Sequence, residues 1–308
     1  EVKDLKLMKL AKYTNAPEAD KKASKDKIAV IYATGSIGSG EGDDESIGSE
    51  TISKAIRKAR LDDKVKAVVL RVNSPGGSAL ASDVIWREMV LTKKAKPVVV
   101  SMGNVAASGG YYIACAADKI FAYPNTITGS IGVFGIIPNM KEMFNKNLGI
   151  TFDEVKTNPY ADYIPVTRPM NDAERMIITN DIETIYTTFI THVSEGRKLT
   201  VAQVDSIGQG RVWSGVDAKR LGLIDEFGGL NDAIKEAANL AKLKEYSTQE
   251  LPEQKDTFEQ LMEAFSGGNA SVLLKKEMGA AYPYFQYLST MSRMQGVQAL
   301  MPYQFDIK

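Results

Sequence analysis

The chemistry this sequence offers is concentrated in a few serines and two glycine-rich turns. Ser108 stands in Ala106-Ala107-Ser108-Gly109-Gly110-Tyr111-Tyr112, and a second turn, Asn73-Ser74-Pro75-Gly76-Gly77-Ser78, follows an apolar run that ends at Val72. Paired glycines let the backbone approach a ligand and turn its N–H groups outward, as an oxyanion hole requires. A serine at a helix start meets the free N–H groups and the positive end of the helix dipole, where developing negative charge is stabilised. The same serine would also make an ordinary helix N-cap, and taken alone that reading wins. The two turns together favour acyl transfer. A hydroxyl at a helix start, facing a Gly-Gly turn from the adjacent strand, supplies both a nucleophile and its oxyanion donors. The G-x-S-x-G elbow is absent, since Ala106 stands two residues before Ser108.

Other catalytic schemes are narrowed by what the chain lacks. His192 is the single histidine and lies in Phe189-Ile190-Thr191-His192-Val193, far beyond Ser108, so it reads as structural and a His-based triad is disfavoured. Cys115 is the single cysteine; it cannot form an internal disulfide, and its setting in Ala114-Cys115-Ala116-Ala117 reads as core packing. Zinc sites built from several Cys or His are excluded by the same counts. With 38 Lys+Arg against 38 Asp+Glu, there is no excess of positive charge to neutralise phosphates, and nucleic acid is not expected as the main partner. The stretch from Gly35 to Gly42 fits neither nucleotide fingerprint and reads as a flexible loop. Asp43-Asp44-Glu45 beside it reads as a solvated acidic loop rather than a cation site.

These residues need a scaffold, and composition indicates its kind. The 308 residues are 44% hydrophobic and 25% charged, ordinary globular values. The length allows one large α/β domain with extensions or two small ones. No run reaches the roughly 18 apolar residues of a spanning helix, and no secretory leader opens the chain. It begins with Glu1, which suggests a processed product or a piece of something longer. Short β-branched runs at 28–32, 67–72, 98–102 and 119–122 alternate with helix-like stretches at 48–61, 79–93 and 108–117. That alternation predicts βαβ units and a mostly parallel, buried sheet. Further helices are expected over 171–195, starting near Asn171, and from Leu230 to about 243. The aromatics and methionines of the last 60 or so residues, Tyr282 to Met301, would either pack on the parent domain or form a surface for oligomerisation or apolar peptide.

Four blocks in order, NSPGG at 73–77, AASGGYYIACAADKIFA at 106–122, TGSIGV at 128–133 and GRVWSG at 210–215, resemble the signal peptide peptidase A (protease IV) family, peptidase family S49. The resemblance covers roughly residues 28–240. It implies an α/β fold of ClpP/crotonase type and a Ser/Lys serine peptidase acting on remnant signal peptides. Carried over by motif, the nucleophile falls on Ser108, the oxyanion donors on the backbone N–H groups of Gly77 and Gly109, and a serine that orients the base lysine on Ser130. In short family members that lysine lies in the segment that here reads 155–163, where the matching position is Ala161 and Lys156 is five residues out of register. Long members resemble two tandem copies, with the lysine in the first and the serine in the second. The chain is therefore expected to be the C-terminal half of a long member, soluble by itself and inactive without its N-terminal copy. The implied organisation is an arm and linker over 1–27, a peptidase domain over 28–245 and a helical C-terminal extension over 246–308. The resemblance further implies no cofactor or metal, a homo-oligomeric dome or ring, and a parent protein tethered to the bacterial inner membrane facing the periplasm. Two other readings stay open: a non-catalytic peptide-binding or scaffolding subunit, and a crotonase-type CoA enzyme, which would have no use for Ser108 or Ser130.

Overall fold

A computed structural model describes residues 24–43, 46–252, 278 and 297–301. Each helix of its first half follows one or more strands. β1 (Lys27–Thr34) is followed by the short strands β2 (Ser36–Gly38) and β3 (Ser46–Gly48), then α1 (Ser49–Leu61). β4 (Val65–Ser74), β5 (Gly76–Ser78) and α2 (Ala79–Lys93) come next, then β6 (Val98–Ala107), α3 (Gly109–Ala114), β7 (Lys119–Ala122) and β8 (Ile127–Gly129). After a stretch with little regular structure come α4 (Asp172–Arg197), α5 (Val201–Ile207), β9 (Val212–Ser214), α6 (Gly215–Arg220), β10 (Glu226–Phe227), α7 (Leu230–Leu240) and β11 (Ser247–Leu251). β12 (Gln298–Leu300) is the last described strand.

The main sheet runs β10-β7-β6-β4-β1-β11 with every pair parallel, and β8 extends it beside the end of β6. Strand alternation divides its side chains between two buried layers. Ala29, Ile31, Val68, Leu70, Val98 and Val100 pack with α1 to α4 on one face. Ile28, Val30, Ala67, Val69 and Val99 meet Ala233, Ala237 and Ala238 of α7 on the other. This is the doubly covered parallel sheet that the βαβ succession predicts, and Ser78 caps α2 by accepting from Ala81 N–H.

Two local readings change. The glycine-rich stretch from Gly35 is not only loop, because Ser36–Gly38 forms β2 of a second sheet, ordered β12-β5-β2-β3. Three-residue strands rich in glycine pair through backbone alone and leave no side-chain alternation to read. A domain edge at 245 also cuts off β11, which pairs with β1 from Lys27–Ser247 to Ile31–Leu251 and completes the main sheet. The helical character expected over 246–308 does not hold at Ser247–Leu251 or Gln298–Leu300, which are strands; the rest of that span apart from 246, 252, 278, 297 and 301, with the aromatic cluster from Tyr282, falls outside the described residues. Among the described residues, no helix is long and apolar enough to cross a membrane, and no group of His, Cys, Asp and Glu could hold a metal ion.

Candidate active site

β6 delivers Ser108 at its C-terminal end, the edge where open α/β sheets place their ligands. Two bonds fix its backbone: its N–H donates to Gly129 C=O at 2.8 Å, and its C=O accepts from Tyr112 N–H at 2.8 Å. Between them Ser108 takes φ 51° and ψ −116°, a region L-residues rarely adopt. Such a residue costs on the order of 1–3 kcal/mol and persists only where its surroundings over-determine it. Ser108 stands at the N-cap position of α3, yet its side chain makes no capping bond. The hydroxyl instead donates to Gly132 C=O at 3.3 Å. The capping explanation for a serine here therefore fails in the folded chain.

The second glycine turn lies directly against it. A Cβ on Gly76, whose φ is 101°, would stand 2.7 Å from Gly109 N, so only glycine permits this approach. Gly76 N–H is engaged by Ser74 Oγ at 3.1 Å. Gly77, one residue on, pairs with Ile37 of β2 and with Ala299 of β12. On the other side β8 runs parallel to the end of β6, with Ala107 opposite Gly129, so Ser130 emerges next to Ser108. Ser130 is likewise buried and in the left-handed region, at φ 47°, and its N–H donates to Arg211 C=O at 2.7 Å. β9 of the GRVWSG block backs β8 in antiparallel register. The fold thus gathers Ser108, Ser130, Gly76, Gly77 and Gly109 at one place.

Ala161 and Lys156 are not gathered with them. Ala161 is exposed, its N–H bonded to Asn158 C=O. Lys156 Nζ is 2.8 Å from Asp162 and 3.0 Å from Glu154. Hydrogen bonds to Asp162 and then Glu154 hold its amine above the ordinary lysine range. An amine so engaged is a firm cation, the reverse of what a general base needs. Arg168 joins the cluster, reaching Asp162 at 2.7 Å and Glu174 at 2.6 Å, and Glu174 closes the capping box that Asn171 opens at the start of α4.

His192 stacks on Trp86 at 3.4 Å between ring centroids, and its Nε2 lies 3.3 Å from Asp83 Oδ1. Asp83 also accepts from Tyr112 OH at 2.8 Å, and the His192 hydrogen bond, with that of Tyr112, holds its carboxyl below the usual range against the pull of burial. The histidine thus knits α2, α3 and α4 together, in keeping with a structural role. Cys115 is buried, with its Sγ donating to Tyr112 C=O at 3.1 Å, and burial pushes its thiol up to about 12. Such a thiol is no nucleophile. Sequence reasoning missed β12, which pairs with the Gly76-Gly77 turn, and Phe134, which pairs with Gln298 of that strand. The one available signal was the short apolar run Val297-Gln298-Ala299-Leu300-Met301.

The model of peptidase family S49 matches residues 91–244, and that of Clp protease matches residues 20–128. "Protease 4" of Salmonella typhi is 46% identical over 247 residues, which are 80% of this chain and 40% of that protein. "Serine protease SPPA, chloroplastic" of Arabidopsis thaliana is 36% identical over 285 residues, 90% of this chain and 41% of that one. A putative protease of Synechocystis is 35% identical over 223 residues, 72% of this chain and 77% of its own length. The chain thus spans about two fifths of the first two relatives. A solved ClpP1 mutant from Listeria monocytogenes matches 67% of this chain and 94% of its own with TM-score 0.45 and 18% identity.

Proposed function

The chain belongs to peptidase family S49, and from that premise we propose that it carries the nucleophile half of a serine peptidase of the Ser/Lys type. One observation carries the reading: the Ser108 hydroxyl is free of capping duty, on a backbone forced to positive φ, beside the Gly76-Gly77 turn. Ser108 Oγ attacks the scissile carbonyl carbon while its proton passes to a neutral lysine amine. The N–H groups of Gly77 and Gly109 take the developing oxyanion. The leaving amine recovers the proton from the lysine, and water then hydrolyses the acyl ester. Ser130 hydrogen-bonds the lysine and orients it.

The lysine comes from a second copy of the fold. Serine is a weak nucleophile without a base, and an exposed lysine, near pKa 10.4, is almost wholly protonated at pH 7. A base lysine has to be desolvated against apolar neighbours, whereas Lys156 is held by two carboxylates and Ala161 faces water. The substrates are cleaved signal peptides, the complete protein is a membrane-tethered oligomer working on the periplasmic side, and this segment acts as its C-terminal half. The engagement of Lys156 gives weight to one rival, a non-catalytic peptide-binding subunit.

Ser108→Ala in the full-length protein separates the two. Peptide hydrolysis should fall by several orders of magnitude with the melting temperature nearly unchanged, since a catalytic unit fails as a whole when one member is lost. Retention of more than about a tenth of the activity, against the several orders expected, would remove Ser108 from the mechanism.

A further inference from the structure

The turn that backs Ser130 is held from a second element. The β8–β9 pairing runs on past Gly129: Ser130 N–H donates to Arg211 C=O at 2.7 Å, and Gly210 N–H donates to Ile131 C=O at 2.8 Å. Residues 208–211 close a tight turn there, with Arg211 N–H on Gly208 C=O at 3.1 Å and with Gln209 and Gly210 both at positive φ. The turn lies flush against residues 130–132, since a Cβ on Gly132 would stand 2.7 Å from Gly210 Cα. On its far side is Tyr186 of α4, whose hydroxyl accepts from Gln209 N–H at 3.1 Å and donates to Asp205 Oδ1 at 2.7 Å. A Cβ on Gly208 would stand 3.0 Å from that same hydroxyl oxygen. Gly208 N–H in turn reaches Asp205 C=O at 3.1 Å, and the Arg211 guanidinium closes on Ser206 C=O, Gly208 C=O and Gln209 Oε1. A single phenol oxygen thus bridges α4, the end of α5 and the turn that supplies Ser130 with its backbone partner.

We infer that Tyr186 is a positioning residue for the peptidase reaction: by seating the 208–211 turn against residues 130–132, its hydroxyl fixes the placement of Ser130, and it acts on the base lysine only through Ser130. The inference rests on the Ser/Lys reading and adds to it the residue that holds Ser130 in place. Ser130 needs such support. At φ 47° a non-glycine residue is strained, and it persists only where its surroundings over-determine it. Its partner Arg211 C=O belongs to a turn that is strained in its own right. Gln209 occupies a left-handed position that Gly or Asn would fill more readily, so the turn needs an outside bond, and Gln209 N–H finds it on Tyr186. Reacting groups must be kept within about 0.5 Å of productive geometry by partners that are themselves locked by packing and hydrogen bonds. Burial, then the bond to Asp205, pushes the Tyr186 phenol up to about 12. It therefore keeps its proton, and its hold on Asp205, across the range in which a lysine base titrates. The Ser108 hydroxyl, bonded to Gly132 C=O in the resting chain, has to leave that acceptor to give its proton to the lysine. Ser130 is then the route by which the turn acts on the reaction.

The test uses the full-length protein and a fluorogenic peptide, with kcat and KM followed across the pH profile. Tyr186→Phe removes the hydroxyl and keeps the ring. It should lower kcat about 3- to 10-fold at unchanged KM, the size of one hydrogen bond lost at a remove from the reacting atoms. It should also move the pH–rate profile in the direction in which Ser130→Ala moves it. In Ser130→Ala protein the same change should cost less than about twofold, because residues that act as a unit are not additive. Asp205→Asn keeps an oxygen that accepts from Tyr186 and should retain more activity than Asp205→Ala, although both remove the charge. Full activity of Tyr186→Phe, an equal loss in both backgrounds, a loss with the profile unmoved, or an Asp205→Asn no better than Asp205→Ala would each overturn the inference and leave Tyr186 a packing residue. The Ser/Lys reading would survive any of these, since Ser130→Ala alone tests it. A Ser130→Ala protein at full rate with an unmoved profile would instead remove Ser130 from the mechanism, and Tyr186 with it. Should Tyr186→Phe lose its melting transition, Asp205→Ala combined with Ser130→Ala gives the same cycle and is judged by the same non-additivity.

Discussion

Ser108 and Ser130 are two of the few non-glycine residues at positive φ, and they adjoin each other at the end of β6. Both types were legible in the sequence as motif members, but their backbone state was not, because it comes from bonds to Gly129 C=O and Arg211 C=O on other strands. The two serines differ in what they should do. In the proposed mechanism Ser130→Ala in the full-length protein removes one hydrogen bond to the base, worth about 1–3 kcal/mol or roughly 5 to 150-fold in rate. The loss should be smaller than for Ser108→Ala, and the pH optimum should move, because a neutral lysine loses its oriented partner. A pH–rate profile of kcat/KM for both variants checks this, and an unchanged profile at unchanged rate would leave Ser130 a turn residue. Lys156 shows the opposite limit of sequence reading. Its nearness to the expected register made it a candidate base, and only the folded chain reveals Glu154 and Asp162 closing on it.

Elements were legible in proportion to the side chains they bury. α2 runs over 79–93 as predicted, since Ser78 caps it and its buried residues recur along one face. α4 begins after Asn171, near where it was expected, with a capping box between Asn171 and Glu174 at its start, and its first turn is tied to the irregular stretch before it by Arg168. The sheet β12-β5-β2-β3 was invisible because its strands are only three residues long and three of the four contain glycine. The Arg168 link gives a pH prediction. Hydrogen bonds from Arg168 and from the Asn171 N–H hold the Glu174 carboxyl below its ordinary value. A depressed folded-state pKa stabilises the chain above the unfolded value, about 4.3, and that stability is lost as pH falls through the folded value. Arg168→Met should therefore lower the urea midpoint at pH 7 and flatten its decline below about pH 4.3, the unfolded glutamate value. Parallel acid limbs for the two proteins would show that the ionic cluster contributes nothing to stability. Asn171→Ala, which removes only the cap, should cost about 1 kcal/mol at any pH above that limb.

At the scale of the whole molecule, the proposed division of labour between two copies makes this chain a folded but catalytically incomplete body. The purified chain should show a cooperative melt and negligible peptide hydrolysis, with turnover restored by co-expression of the preceding copy. Ala161→Lys tests the register argument directly. Ala161 is exposed, so a lysine there stays protonated until a neighbouring copy covers it, and the rescue should be weak and should rise with protein concentration. Labelling of Ser108 by a serine-directed phosphonate should rise in parallel, with Ala161→Met as a control for size. Rings by light scattering without labelling above that control would show the register to be wrong. The alternation of strands and helices made the α/β class readable. The return of the chain to its first strand was not, because Ser247-Thr248-Gln249-Glu250-Leu251 is polar and carries little strand signal of its own. That return governs how the molecule can be synthesised. β1 begins at Lys27, yet one of its two hydrogen-bonding edges is satisfied only by β11, which starts at Ser247. Until the ribosome has released Leu251, the growing chain presents a bare apolar strand edge, the kind of surface that recruits chaperones or pairs with another nascent chain. The pairing that completes the sheet thereby joins residues some 220 apart, and it waits until Leu251 has left the ribosome.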